Sequence, residues 1–522
     1  MATPSNRPDA ALTQGSTSAL QDTASRPHAV PIPPGADHPR DDADAHMLSR
    51  LGYAQELLRA MGGFSSFAIS FSIISILTGI MTTYAVALGG GGPAALGYGW
   101  PIVSVGTLIV AMAMGELASA FPTAGALYHW SALLGGPGWG WFTAMMNLAG
   151  QCAIVAAIDL GCAQAIAGTL RLPSSMSVPL LFVVLLSHGL INAFSVKLVA
   201  WLNSFSATVH IVGVIIIVGA LLLWGRAQPV SFLGQTGFTL REDGNYTLGF
   251  LNALVLGMWT FTGYDASAHV SEETHDPARR APWGIVSSVA VSAVAGYALI
   301  AGLTLAIVDL PATANDKEPP LYVLRHAFGE TTGDLTMGLA VVAMWFCGLS
   351  SVTSASRMLF AFCRDGGLPG SATLRRVSPS HKTPLFAILA STLGPFLLVL
   401  LTLPFSDKVF LAVASLATTG LYLSYAMPIA LGIHARATGK WRHRGPWNLG
   451  GLGIPMAACA VVWSLAVLVI CCLPPNWNAA VMLASVVVVI LALYFAFART
   501  RFAGPQVSIV GIEASFDARG QS

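Results

Sequence analysis

Twelve apolar stretches follow one another between residues 64 and 498, near 64–88, 100–120, 139–170, 177–195, 199–224, 249–271, 284–308, 333–362, 384–403, 408–432, 452–472 and 478–498. Each is close to the roughly 20 residues that carry an α-helix across about 30 Å of hydrocarbon. In lipid every backbone group must find its partner inside the protein, so this pattern confines the chain to a bundle of membrane helices. The expectation is an all-α polytopic membrane protein of twelve transmembrane helices. Composition agrees: 54% of residues are hydrophobic, 10% are charged and mean hydropathy is +0.67, whereas soluble domains carry about a quarter charged residues.

An even number of crossings places both termini on one side. With the N-terminus inside, sixteen Lys and Arg residues flank the inner ends of the stretches and six lie in the outer loops, which orients both ends toward the cytoplasm of a plasma or inner membrane. The first sixty residues hold no apolar run long enough for a signal-peptide core. Residues 1–50 are expected to be a disordered cytoplasmic tail rich in Pro, Asp, Ser, Thr and Ala. Ser49 to Ala60 reads as a short interfacial helix or an ordinary juxtamembrane flank, and residues 502–522 read as a second cytoplasmic tail. The net charge of +2, spread over many short loops, excludes a nucleic-acid partner. All seven cysteines fall in or at the ends of apolar stretches without zinc-site spacing, and read as packing. No metal or cofactor is expected. A phosphate loop, a His-Glu-x-x-His motif and a nucleotide-binding glycine motif after a strand are all missing from the sequence, which excludes the common membrane-enzyme chemistries.

The sixth stretch breaks its own pattern. Trp259, Thr260, Phe261, Thr262, Gly263 and Tyr264 lead into Asp265, and a carboxylate near mid-bilayer costs roughly 2.5 to 3.5 kcal/mol on insertion scales. Gly263 weakens the helix and Thr262 can bond freed backbone groups. The first stretch has a matching Leu77-Thr78-Gly79-Ile80 in its middle. Two Thr-Gly interruptions five stretches apart are the pattern expected of inverted repeats whose broken helices meet at the midplane, although such pairs also occur by chance.

The second stretch ends as Gly115-Glu116-Leu117-Ala118-Ser119-Ala120-Phe121-Pro122-Thr123-Ala124-Gly125-Ala126-Leu127-Tyr128, the eighth closes with Ser356-Arg357-Met358 and Arg364-Asp365-Gly366-Gly367-Leu368-Pro369, and the sixth runs on from Gly263 to Pro282. These motifs resemble the amino acid/polyamine/organocation (APC) permeases, in the branch with GABA and choline permeases. The resemblance covers about Leu51 to Arg501. It implies a LeuT-type fold with broken helices 1 and 6, a first repeat of about 64–224, a second of about 249–432, and peripheral helices 11 and 12 at about 452–498 within a permease domain of 51–501. A facilitator-superfamily permease would also have twelve spans, but residues 120–138 hold no Lys or Arg where that family carries a basic turn.

The resemblance and the helix-end dipoles place a zwitterion between the breaks: its carboxylate on N–H groups around Thr78, Gly79 and Ile80, its ammonium against carbonyls near Ser75, Ile76, Trp259 and Thr260. Trp259 and Phe261 would cover it, or merely pack. Asp265, beside Gly263, could meet a cationic group, hold a proton or anchor the unwound backbone. Coupling candidates are Asp265, His210 (where some proton-coupled relatives carry a lysine on helix five) and, for sodium, the hydroxyls of Ser350, Ser351 and Ser354. Glu116 is expected to hold an inner loop, Asp159 to face an outer vestibule or snorkel, and His188 to sit near mid-membrane. The loop from Ser271 to Trp283 reads as a hinge with internal ion pairing among Glu272, Glu273, Asp276, Arg279 and Arg280. Its Pro277 and Pro282 stop it from extending helix six. The expected function is secondary active import of an amino acid or related small amine such as GABA across the cytoplasmic membrane, coupled to H+ with Na+ left open; a choline or polyamine permease and a transporter-like nutrient sensor are the alternatives.

Overall fold

The structure, a computed structural model, describes residues 39–405, 409–474 and 476–517. The part of the expected N-terminal tail before residue 39 and Lys408 lie outside the described residues. Helix α1 (Pro39–Arg50) precedes α2 (Gly63–Ile74) and α3 (Ile76–Ala120), and α4 (Ala126–Gly135) leads into α5 (Pro137–Thr169), α6 (Ser177–Phe194) and α7 (Val196–Ala220). The second half opens with α8 (Tyr246–Ala253), α9 (Val255–Thr260) and α10 (Ala266–His269), followed by α11 (Pro277–Leu305), α12 (Leu310–Asn315), α13 (Pro319–Phe328), α14 (Glu330–Arg364), α15 (Ser371–Leu374) and α16 (Leu385–Thr402). It ends with α17 (Val409–Ala437), α18 (Gly453–Cys471), α19 (Trp477–Leu493), α20 (Arg499–Arg501) and α21 (Ile509–Asp517).

Ten helical stretches among the described residues are long and apolar enough to cross a membrane. One of them, 63–120, takes in the first two predicted segments, with the chain turning at Gly92 (φ +63), just before Pro93. The sixth predicted segment supplies only the shorter Tyr246–Thr260, because its helix ends within the segment. The protein is thus a polytopic helical membrane protein. Helices α3 and α11 pack along each other, as do α5 and α17, and α14 lies beside α5. By contrast α19 buries only Ala479 and Ile490, and Val481, Val488 and Val489 are exposed on its outer face.

Several flanks differ from expectation. Residues 39–50 of the expected disordered tail are helical, and the flank from 51 to 60 is an extended strap, not an interfacial helix. Its N–H groups at Ala60 and Met61 donate to Glu273 O at 2.9 and 2.8 Å, and Gln55 Nε2 donates to Glu272 O at 2.8 Å. The C-terminal tail returns to the bundle: Glu513 accepts from the N–H groups of Arg442 and His443 at 3.0 and 2.8 Å, and Ile512 is fully buried. In the loop after the sixth stretch only Asp276 and Arg279 approach each other, at 4.0 Å. Glu272 and Glu273 reach instead to Arg364 and Arg357 on α14, because a buried carboxylate needs a buried partner more than a neighbour in sequence. Pro277 opens α11 at its first position, where its missing N–H costs nothing, and Pro282 is accommodated inside that helix.

Candidate functional site

Both interruptions form, by different means. Between α2 and α3 the break is at Ser75, whose φ of +31 and ψ of +78 lie in the left-handed region. Gly79, four residues on, is helical, and its N–H donates to Ser75 O at 2.9 Å. The expectation of a break at Thr78-Gly79 is therefore corrected: Ser75 ends one helix through its N–H to Phe71 O, at 3.1 Å, and caps the next by accepting Thr78 N–H on Oγ, at 3.3 Å. A helix start leaves its first N–H groups open. With those of Thr78 and Gly79 engaged and Ile80 inside the helix, the open pair belongs to Ile76 and Leu77. Gly79 has a different task. A Cβ there would lie 2.2 Å from Thr260 Oγ1, so its absence lets α3 touch the end of α9.

The second break runs from Phe261 to Asp265, as the sequence suggested. Gly263 sits at φ +90, its N–H meets Tyr425 Oη at 3.2 Å, and a Cβ there would fall 2.2 Å from Ile73 Cγ2. Thr262 Oγ1 donates to Trp259 O at 2.7 Å, bonding a freed carbonyl. Below the break Ser70 Oγ donates to Tyr264 O at 2.8 Å and accepts Ser267 N–H at 3.0 Å, which fastens α2 to α10.

Asp265 is fully buried among four donors. Tyr425 Oη lies 3.0 Å from Oδ1, while Oδ2 faces His269 Nε2 at 3.1 Å, Asn147 Nδ2 at 3.4 Å and Gln151 Nε2 at 3.5 Å. The other nitrogen of His269, Nδ1, is 3.0 Å from Ala124 O. A carbonyl only accepts, so Nδ1 carries a hydrogen, and the Nε2 to Oδ2 contact needs one more. His269 escaped the sequence reading although it stands one helical turn after Asp265; Tyr425, Asn147 and Gln151 come from other helices and gave no signal of their own.

At the first break His210 occupies a corresponding place. Its Nε2 is 2.8 Å from Ser75 Oγ and its Nδ1 2.8 Å from Ser206 O, so a neutral ring with its hydrogen on Nδ1 accepts from Ser75. Of the three serines on α14, Ser350 donates to Asn203 Oδ1 at 2.7 Å, Ser351 to Cys347 O at 2.8 Å, and Ser354 accepts from Gln151 at 3.3 Å. Asp159 is paired with His188 Nδ1 at 3.1 Å, both fully buried, and so does not face a vestibule.

Trp259 and Phe261 part company. Phe261 rests on Trp100, ring centroids 4.7 Å apart, inside the core, whereas Trp259 meets Phe410 edge-on at 6.1 Å. Phe410, Met81 and Thr82 line a cavity of about 150 Å³ whose rim carries Lys317 and Glu318. The strap side is shut by ion pairs: Arg364 grips Glu272 at 2.9 and 2.8 Å, and Arg357 Nε meets Glu273 at 2.7 Å. Tyr53 and Tyr128 both donate to Asp365 Oδ2 at 2.6 Å. Burial pushes the Asp365 carboxyl above the ordinary carboxylate range, and Arg364 with the two tyrosine hydroxyls offsets this only in part. Glu116 holds a loop, as expected, through Leu449 N–H at 2.9 Å and Arg436 at 2.7 Å.

Residues 61–498 match the family model described as amino acid permease. The chain belongs to the amino acid permease family. This permease is 34% identical over 508 residues to amino-acid permease BAT1 of Arabidopsis thaliana, covering 90% of its own length and 97% of the relative's. It is 34% identical over 504 residues to the BAT1 homolog of Oryza sativa subsp. japonica, covering 89% and 96%. The GABA-specific permease of Saccharomyces cerevisiae is 28% identical over 453 residues, covering 83% of the permease and 78% of the relative. The family and these relatives are permeases, transporters and not enzymes.

Proposed function

We propose that this permease is a secondary active importer of an amino acid or closely related amine, GABA among them, coupled to protons across the cytoplasmic membrane. The observation that carries the reading is the meeting of two interrupted helices with a fully buried Asp265–His269 pair, 3.1 Å apart, at one of them. The substrate carboxylate sits on the N–H groups of Ile76 and Leu77, where the dipole of α3 adds partial positive charge. Ser75 and Thr78 shape that cradle, Gly79 and Ile80 support it, and the carbonyl ends near Thr260 receive the ammonium. Trp259 closes the solute from the cavity beyond Phe410. A choline or polyamine substrate is disfavoured because Asp265 already has four donors around it.

Proton coupling is supported over sodium by the same hydrogen bonds. Ser350 and Ser351 already direct their hydroxyls to protein acceptors, and His210 stands at the break that a helix-1 cation would use. The inverted-repeat fold of twelve crossings is supported by the turn at Gly92, which divides the 45 residues of α3 into two helical runs, so that 63–120 holds two of the predicted crossings. The asymmetry of basic flanks supports a cytoplasmic N-terminus. The test is uptake by purified protein in liposomes with a panel of labelled amino acids and amines, under a proton or a sodium gradient. Saturable accumulation driven by the proton gradient is expected. Accumulation driven by sodium at equal pH would overturn the coupling, and no uptake of any amine would overturn the transport reading itself.

A further inference from the structure

On the strap side the link between α14 and α16 folds into a tight turn. Ser378 N–H donates to Thr383 O at 2.8 Å, and Lys382, at φ +54, donates its N–H to Ser378 O at 2.9 Å. This turn walls a cleft of about 920 Å³ lined by Arg375, Arg376, Ser378, Leu385 and Phe386 among others. Arg375 and Arg376 are exposed, and neither forms an ion pair among the described residues. The remaining charges facing the cleft are Arg364, committed to Glu272, and the exposed Glu56. His381 and Lys382 are exposed on the same turn. The cleft therefore has a net positive wall.

Leu385 also begins a second feature. A groove of about 200 Å³ runs between α6 and α16, lined by Phe182, Leu186, Leu190, Leu385, Leu389 and Phe396 among others, almost all of them apolar. From Leu385 to Phe396 the helix rises about 17 Å, close to half of a hydrocarbon core of about 30 Å. The groove is therefore one leaflet deep, open toward lipid along Leu389 and Leu393, and continuous at its polar end with the two arginines.

We propose that cleft and groove together form a binding site for one anionic phospholipid. The headgroup phosphate lies against Arg375 and Arg376, and one acyl chain fills the groove between α6 and α16. Two observations carry this independently: unpaired guanidinium groups at the membrane face, and a concave apolar channel of acyl-chain length beginning at the same leucine. A soluble phosphate would use the first alone. A zwitterionic lipid would bring its own cation to a wall that is already basic. Because the same cleft is lined by Arg364 of α14 and Glu56 of the strap, the bound lipid braces the closed strap side.

The experiment is native mass spectrometry of the full chain, released from nanodiscs containing equal parts of phosphatidylglycerol and phosphatidylcholine. Wild type should retain phosphatidylglycerol preferentially. A basic residue near an anionic surface contributes roughly a factor of five in binding, so the double variant Arg375→Gln with Arg376→Gln should lose about 25-fold of that preference. Leu389→Trp, which fills the groove, should lower retention of both lipids while the arginines remain. Thermal melting of each variant in detergent confirms that it is folded. Equal retention of the two lipids by wild type, unchanged preference in the double variant, or displacement of the lipid by inorganic phosphate would overturn the proposal.

Discussion

Replacing Gly79 by alanine should separate the two broken helices, and the size of the effect follows from three distances. A Cβ at residue 79 would lie 2.2, 2.5 and 2.6 Å from Oγ1, Cγ2 and Cβ of Thr260. Turning the threonine about χ1 exchanges its two outer atoms but leaves its Cβ in place, and Oγ1 is held by Leu256 O at 2.6 Å. The relief must come from the backbones, which have to part by about 1.2 Å to bring the 2.2 Å contact to the 3.4 Å of ordinary van der Waals approach. Overpacking of this kind costs about 1 to 3 kcal/mol, against roughly 1 kcal/mol that alanine recovers over glycine inside a helix. The net loss of stability is small, about 0 to 2 kcal/mol on those two figures. The loss of function should be large, because the cradle of Ile76 and Leu77 moves away from α9. Gly79→Ala should therefore fold and lose substrate affinity. Thr260→Gly should restore affinity in the double variant, and Thr260→Ala, which keeps the Cβ, should restore it only in part. Thermal melting with binding in liposomes measures both. Wild-type affinity in Gly79→Ala would refute the close approach, and failure of Thr260→Gly to rescue would show that residue 79 needs glycine for its backbone.

Four other outcomes are expected. Asp265→Asn should abolish accumulation driven by a pH gradient while substrate exchange persists; full accumulation in that variant would remove Asp265 from coupling. Trp259→Ala should weaken apparent affinity and speed exchange with expression intact, whereas loss of folded protein would mark Trp259 as packing. Arg357→Gln should destabilise by about 3 to 5 kcal/mol, since it leaves Glu273 buried and charged, and an unchanged melting temperature would contradict the burial of that pair. Hydrogen exchange of the strap, residues 53–61, measured at one fixed pH, should be faster in His269→Gln than in wild type, since glutamine cannot hold both Asp265 and Ala124 O; equal rates would disconnect the strap from the Asp265–His269 pair.

The parts of the site that the sequence revealed are those where one residue violates its surroundings. Asp265 is a charge in an apolar stretch and Gly263 a helix breaker beside it, so the second break was legible to within a residue. The first was misplaced because glycine is the usual residue for positive φ, and here a serine takes that conformation while the nearby glycine serves contact. Ser75 can do so because its hydroxyl satisfies Thr78 N–H and meets His210, a compensation supplied by a helix 135 residues away. The pairs Glu272–Arg364 and Glu273–Arg357 were hidden for the same reason, lying 92 and 84 residues apart. Local sequence held the clue only for His269, four residues from Asp265 on the same face.

These contacts also connect the second break to the strap. His269 Nδ1 donates to Ala124 O, Ala124 N–H donates to Glu272 Oε1 at 3.1 Å, and Glu272 grips Arg364, whose guanidinium lies 3.9 Å above the Tyr53 ring. Each link is a single hydrogen bond, ion pair or stacking contact between buried or half-buried groups, where low dielectric strengthens electrostatic contacts. With the shared proton present, His269 satisfies both Asp265 and Ala124 and the row is complete. With it gone, two lone pairs face each other at 3.1 Å between Nε2 and Oδ2, and the ring must turn or withdraw. Either movement breaks the bond to Ala124 O or shifts residue 124, whose N–H orients Glu272. Loss of the His269 contact thus weakens the hold on Arg364 and on the strap packed against it.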